Sequence, residues 1–217
     1  ISGLSIVMPP ETALGALILP AFIANGLQAL RHGFALALAT VKQFRMFLIS
    51  GGVCLMTSAQ FVLMLSPEML CLLLGFPVTF FAFWQLIKID VFQVERSREK
   101  DILMGGIAGL IGGVSGIWGP PTVMYLTAIA LPKADKIRIQ GVIYGLGAVA
   151  LIVAHLGSGV LHSQVLTVSA LLVAPTLLGF WVGDKFQGHI NQATFRRLTL
   201  CILLVAGLNL LRRGMGG

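Results

Sequence analysis

The sequence predicts an all-α integral membrane protein of two inverted repeats. Each repeat is a glycine-rich re-entrant or broken helix plus three transmembrane helices, with the first broken segment expected to fall before Ile1. Three observations predict this. First, the 217 residues are 57% apolar and 11% charged, with a mean hydropathy of +0.93, whereas a soluble domain carries about a quarter charged residues. Second, residues 105–125 read GGIAGLIGGVSGIWGPPTVMY, with seven glycines in the first fifteen positions and Pro120 and Pro121 directly after. Such a stretch breaks a helix, and irregular backbone at membrane depth survives only against protein or a polar cavity. Third, the basic residues gather in the short segments between apolar runs.

Apolar runs of spanning length, roughly 20 residues each, mark the elements in order. Residues 13–30 form the first, with a kink expected at Pro20. Residues 44–65 and 69–87 form the next two. A charged linker, 88–101, separates them from the glycine-rich segment, 102–131. Residues 137–156, 165–186 and 195–211 complete the set. The whole chain, 1–217, reads as a single transporter domain, divided into a first repeat (1–87), a cytoplasmic linker (88–101) and a second repeat (102–217). The halves correspond at a spacing of roughly 123 residues, a mark of transporter folds. Pro10 falls opposite Pro132, Ser66-Pro67-Glu68 near Ile190-Asn191-Gln192, and Gln85 near Asn209. At that spacing the partner of the glycine-rich segment precedes Ile1, leaving ISGLSIVM opposite MYLTAIAL.

Loop charge decides between two topologies. If the glycine-rich segment crossed the membrane, the basic residues would divide nine against six. If it is a hairpin returning to its starting side, they divide thirteen against two, with Arg212 and Arg213 alone on the far side. The positive-inside rule favours the hairpin. Each half then holds an odd number of crossings, so the repeats are inverted.

Candidate binding residues follow from this plan. In the hairpin, Ser115, Gly116, Trp118, Gly119 and Thr122 offer hydroxyl and indole donors among glycines that let backbone approach a ligand. A half-helix beginning after Pro121 is expected to present free N–H groups and a positive dipole end to an anion. The competing reading is that the small residues serve tight helix packing. Asn25, Gln28 and Arg31 share one face of the first span. The two amides are expected to face either a cavity or an interhelical partner, and Arg31 to sit at a helix end. Gln140 and Tyr144, one turn apart, are expected to line the cavity from the second half, with Arg138 beside them setting orientation. His155 and His162 read as interfacial or loop residues. Cys54, Cys71 and Cys201 read as small buried hydrophobes.

Composition also excludes function classes. Neither a metal-ligand cluster nor a P-loop or catalytic triad appears, so no cofactor, metal or enzyme activity is expected. The formal charge of +7 reflects loop topology, not nucleic-acid binding. No acidic residue is expected deep in a span, which argues against a proton pump with a carboxylate relay and against a cation channel. The partners expected are a small anion and the lipid bilayer, and self-association is left open. A carrier and a channel-like anion pore would use the same donors.

The chain resembles the TauE/SafE family of membrane transporters, the sulfite exporters. The resemblance is carried by GGVSGIWGPPTVMYL (112–126), LPKADKIRIQGVIYGLGAV (131–149) and PPETALGALILPAFIANGLQALRHG (9–33). It implies export of sulfite or a small organosulfonate across a bacterial inner membrane by a multi-pass protein. It also implies two related halves that each open with a glycine-rich segment.

Overall fold

The computed structural model describes residue 4 and residues 7–31, 33–87, 93–186 and 192–216. Ile190, Asn191 and residues 88–92 lie outside these, as do the side chains of Lys133, Asp184, Lys185 and Arg196. Among the described residues the chain forms ten α-helices and no strand. They are α1 (Pro10–Ala16), α2 (Ile18–Leu30), α3 (Phe34–Gln43), α4 (Arg45–Ala59), α5 (Pro67–Leu86), α6 (Arg98–Ser115), α7 (Gly119–Ala128), α8 (Lys133–Ser158), α9 (Ser163–Phe186) and α10 (Gln192–Gly214). Five stretches of described residues are long and apolar enough to cross a membrane: Pro10–Leu30, Arg45–Met64, Pro67–Leu86, Asp135–Ser158 and Ser163–Gly183.

Element ends follow local chemistry. Ser66 caps α5 by accepting the Met69 N–H, and Ser97 caps α6 by accepting that of Lys100. Pro9 and Pro132 precede α1 and α8 with nearly the same backbone angles, φ −54° ψ 145° and φ −55° ψ 146°. The first span breaks at Leu17, just where Pro20, lacking an N–H, leaves the ladder short of a donor. One helix was not anticipated. α3 is apolar, but its ten residues are too few to span, so it carried no spanning signal.

Glycine faces set the packing. Against α4, Cβ atoms added at Gly105, Gly109 and Gly113 would lie 2.3 Å from Phe47 O, 2.1 Å from Gly51 O and 2.4 Å from Leu55 O. The two backbones therefore touch at successive turns, a small-xxx-small seam. Gly141 and Gly145 admit the backbone of α2, and Gly75 and Gly207 join α5 to α10. α2 and α8 are antiparallel, since Gly141 meets Gln28 while Gly145 meets Asn25. α5 and α10 are antiparallel too, since Gly207 meets Thr79 while Gly214 meets Glu68 and Leu72.

These directions gather Arg31, Lys42, Arg45, Arg96, Arg98, Lys100, Lys136 and Arg138 at one end of the bundle. Arg212 and Arg213, beside Glu68, lie at the other. Outward faces carry large apolar side chains such as Phe76, Leu171, Trp181 and Ile202, as a lipid-facing surface requires. Cys71 is buried as expected, but Cys54 is only half-buried and Cys201 is exposed on α10. An apolar residue there is solvated by lipid rather than by protein.

Candidate functional site

The glycine-rich segment is a broken helix that doubles back. α6 ends at Ser115, Gly116 adopts the left-handed conformation at φ +66°, and α7 begins at Gly119. Glycine at 116 takes that conformation without the penalty a side chain would add. Two bonds show the reversal. The Tyr125 hydroxyl in α7 donates to Asp101 Oδ1 at the start of α6 over 2.6 Å, and the Val94 N–H donates to the Ala128 carbonyl over 2.9 Å. The ends of the two helices thus meet on the side that holds the basic residues.

At the tip, the polar side chains close the turn itself. Ser115 Oγ donates to the Ile111 carbonyl at 2.6 Å and accepts the Ile117 N–H at 3.0 Å. Thr122 Oγ1 donates to the Trp118 carbonyl at 2.8 Å. The half-helix starts at Gly119, not after Pro121, so both prolines fall in its first turn and supply no N–H. The Thr122 N–H in turn reaches the Trp118 carbonyl at 3.4 Å. The expected cluster of free donors after Pro121 is therefore smaller than the sequence implied.

Trp118 occupies the centre. Its indole is buried and packs closely against two bare backbones, where Cβ atoms at Gly112 and Gly147 would stand 2.9 Å and 3.0 Å from the ring. Tyr144 meets it edge-on, with centroids 6.4 Å apart, and the Tyr144 hydroxyl donates to the Gly119 carbonyl at 3.3 Å. Ser115, Gly116, Trp118, Gly119, Thr122 and Tyr144 thus form one constellation.

The remaining sequence candidates lie elsewhere. Gln28 Nε2 donates to the Ile137 carbonyl of α8 at 3.4 Å, so its amide bridges helices. Asn25 is half-buried on the same α2 face, its backbone against Gly145. Gln140 is half-buried one turn before Tyr144. Arg138 pairs with Asp135 at 2.9 Å, and Arg31 is exposed at the end of α2. These residues lie on α2 and α8 toward the basic end, away from the tip, and line neither of the two clefts that reach it.

Two clefts reach the tip. One, of about 360 Å³, runs from Arg45 past Phe47, Gly51 and Leu55 to Trp118 and Thr122. The other, of about 440 Å³, is lined by Leu14, Ile18, Ala24, Gly116, Trp118 and Thr176 among others. Both have the size of small-molecule sites, and their linings are mostly apolar.

Sequence reasoning missed a clamp at the basic end. Arg96 Nε and Nη2 engage the two oxygens of Asp101 at 3.1 Å and 2.7 Å, and Nη2 also donates to the Gln43 carbonyl. The Arg96 guanidinium lies 3.9 Å over the Phe44 ring, and Tyr125 stacks on Phe47 at 5.9 Å. Burial disfavours the Arg96 charge, but the adjoining Asp101 carboxylate outweighs it and raises the affinity of the guanidinium for its proton. The sequence reading places Asp101 at the end of the charged cytoplasmic linker. The Ser97 cap instead places it in the first turn of α6, facing inward with 4% exposure. His155 also departs from expectation. It is fully buried, with Nδ1 at 3.1 Å from Ser158 Oγ, because α8 continues past it to Ser158. His162 is exposed as expected.

A family model, sulfite exporter TauE/SafE, matches residues 1–210. The chain belongs to the TauE/SafE family. Its members are membrane transporters for sulfite and related anions and not enzymes, so this chain is a multi-pass anion transporter of that family. No curated protein and no solved structure matches it. In this family member the glycine-rich motif divides its labour. Gly105, Gly109 and Gly113 serve helix packing, Gly112 seats Trp118, and Gly116 makes the turn.

Proposed function

We propose that the chain exports sulfite or a small organosulfonate across the bacterial cytoplasmic membrane by alternating access about the hairpin tip. The observation that supports this reading most is the doubled-back broken helix, the element on which secondary transporters build midplane sites. Ser115, Gly116, Trp118, Gly119, Thr122 and Tyr144 form the tip side of the site. Asn25, Gln28 and Gln140 guide cargo from the basic end, and Arg31 and Arg138 attract it there. The two halves are inverted repeats, one before and one after the linker.

An inside-negative potential favours anion exit by about 2.3 kcal/mol per charge per 100 mV, so export needs no coupled ion. A carrier accounts better than a pore for two clefts with Trp118 between them. The test is anion flux in proteoliposomes carrying Asn25→Leu or Gln28→Leu. Each is expected to slow sulfite flux while leaving membrane insertion intact. Wild-type flux in both would remove these residues from the site.

A further inference from the structure

The two clefts come to the hairpin tip from different helices. The first is walled by the α3–α4 joint, α4, α6 and α8, with Arg45 toward the basic end. The second is walled by α1, α2, α5, α8, α9 and α10, and includes Leu14 and Leu210 toward the opposite end. Among the described residues, Trp118 is the one that lines both. Cargo passing from one cleft to the other meets the indole.

The indole belongs to the main buried apolar cluster, but at two positions it meets backbone rather than a side chain. Side chains interdigitate in a core and resist displacement, whereas here two ring contacts are with glycine. The bare backbones at Gly112 on α6 and Gly147 on α8 lie close against the ring, and no side chain stands in its way at either position. The residue also follows directly on the hinge. Gly116 is left-handed at φ +66°, Ile117 and Trp118 lie outside either helix, and α7 starts at the next position. Rotation of the backbone at 116–118 would move the ring, at the expense of the Ser115 Oγ–Ile117 N–H and Thr122 Oγ1–Trp118 carbonyl bonds that hold the turn.

We propose that Trp118 is the moving septum of the transporter, blocking passage between the two clefts and admitting cargo to one of them at a time. This rests on the alternating-access reading and adds the residue that enforces it. Gly112 and Gly147 are then not spare small residues but the rails of the septum. Tyr144, edge-on to the ring and bonded to the Gly119 carbonyl, is its stop on the α8 side.

The experiment is sided labelling by a membrane-impermeant thiol reagent. The background replaces Cys54, Cys71 and Cys201 with alanine. One reporter is Ala150→Cys in the first cleft and the other is Ala24→Cys in the second. With Trp118 intact, each reporter is expected to react from one face of the membrane, and the two from opposite faces. Trp118→Ala is expected to let both react from either face and to raise sulfite leak without trans-substrate by an order of magnitude or more. Trp118→Phe is expected to retain the sidedness.

If Trp118→Ala is not recovered as a monodisperse protein, Gly112→Ala carries the test, because its Cβ displaces the ring, with the same loss of sidedness expected. Reporters that share one face in the intact protein, or sidedness unchanged when the septum is removed or displaced, would overturn the proposal. Labelling needs no cargo. A protein inert toward sulfite yet labelled as expected would therefore remove the export reading and leave the septum standing.

Discussion

Replacing Gly109 with alanine tests the packing argument most sharply. The added Cβ would stand 2.1 Å from Gly51 O and 2.8 Å and 2.9 Å from Gly51 C and Cα. An ordinary carbon–oxygen contact is about 3.3 Å, so α4 and α6 must separate by about 1 Å along a seam shared by Gly105 and Gly113. All three close atoms belong to backbone and none can rotate aside. Overpacking of this kind costs about 1–3 kcal/mol, and the rigid contacts place this case at the upper end, about 3 kcal/mol. For a domain of this size that corresponds to a fall in Tm of about 6–12 °C. Thermal unfolding of detergent-purified protein, followed by fluorescence size exclusion, reads it directly. Gly26→Ala is the control, because nothing lies within 4 Å of its added Cβ and alanine favours the helix by up to about 1 kcal/mol. An unchanged Tm for Gly109→Ala, or an equal fall for Gly26→Ala, would refute the seam.

Three further outcomes follow from the same geometry. Tyr125→Phe deletes the 2.6 Å bond to the Asp101 carboxylate and is expected to cost about 1.5–3 kcal/mol, whereas Arg96→Met strands a buried carboxylate and costs about 3–5 kcal/mol. A double-mutant cycle with Asp101→Asn checks that both losses act through Asp101, and additive losses would contradict this. Gly116→Ala meets a left-handed backbone penalty of about 1–2 kcal/mol, with its Cβ 2.6 Å from Leu14 Cδ1. A lower Tm is expected, and an unchanged one would contradict the hinge. Val94→Cys and Pro132→Cys, before and after the hairpin, should both react with an impermeant thiol reagent from one face of the membrane. Reaction from opposite faces would show a crossing instead.

The doubling back of the glycine-rich segment was legible because loop charge reports topology, and a hairpin is the arrangement that leaves only Arg212 and Arg213 apart from the other basic residues of the sequence. The spans were legible to within a few residues, but α1, α6 and α8 start three to four residues ahead of the apolar runs, because Pro9, Ser97 and Pro132 start the helices before the hydrophobic stretch begins. What each glycine does was not legible. Gly109 and Gly112 are alike in composition, but one faces α4 and the other the Trp118 ring, a difference of helix face that only packing reveals. The clamp was hidden because the reversal joins Asp101 to Tyr125 across 24 positions, and nothing in the linker marks Arg96 as its partner. Ser115 and Thr122 were legible as polar residues at the break. That their hydroxyls close the turn depends on the local backbone path.

Sulfite counterflow in proteoliposomes bears most directly on the reading of this family member as an alternating-access carrier. Labelled sulfite is supplied outside vesicles that hold either unlabelled sulfite or none, and uptake is followed across a range of concentrations. The account predicts saturable uptake that accelerates when sulfite is present inside. Uptake that rises linearly with concentration and ignores internal sulfite would contradict it.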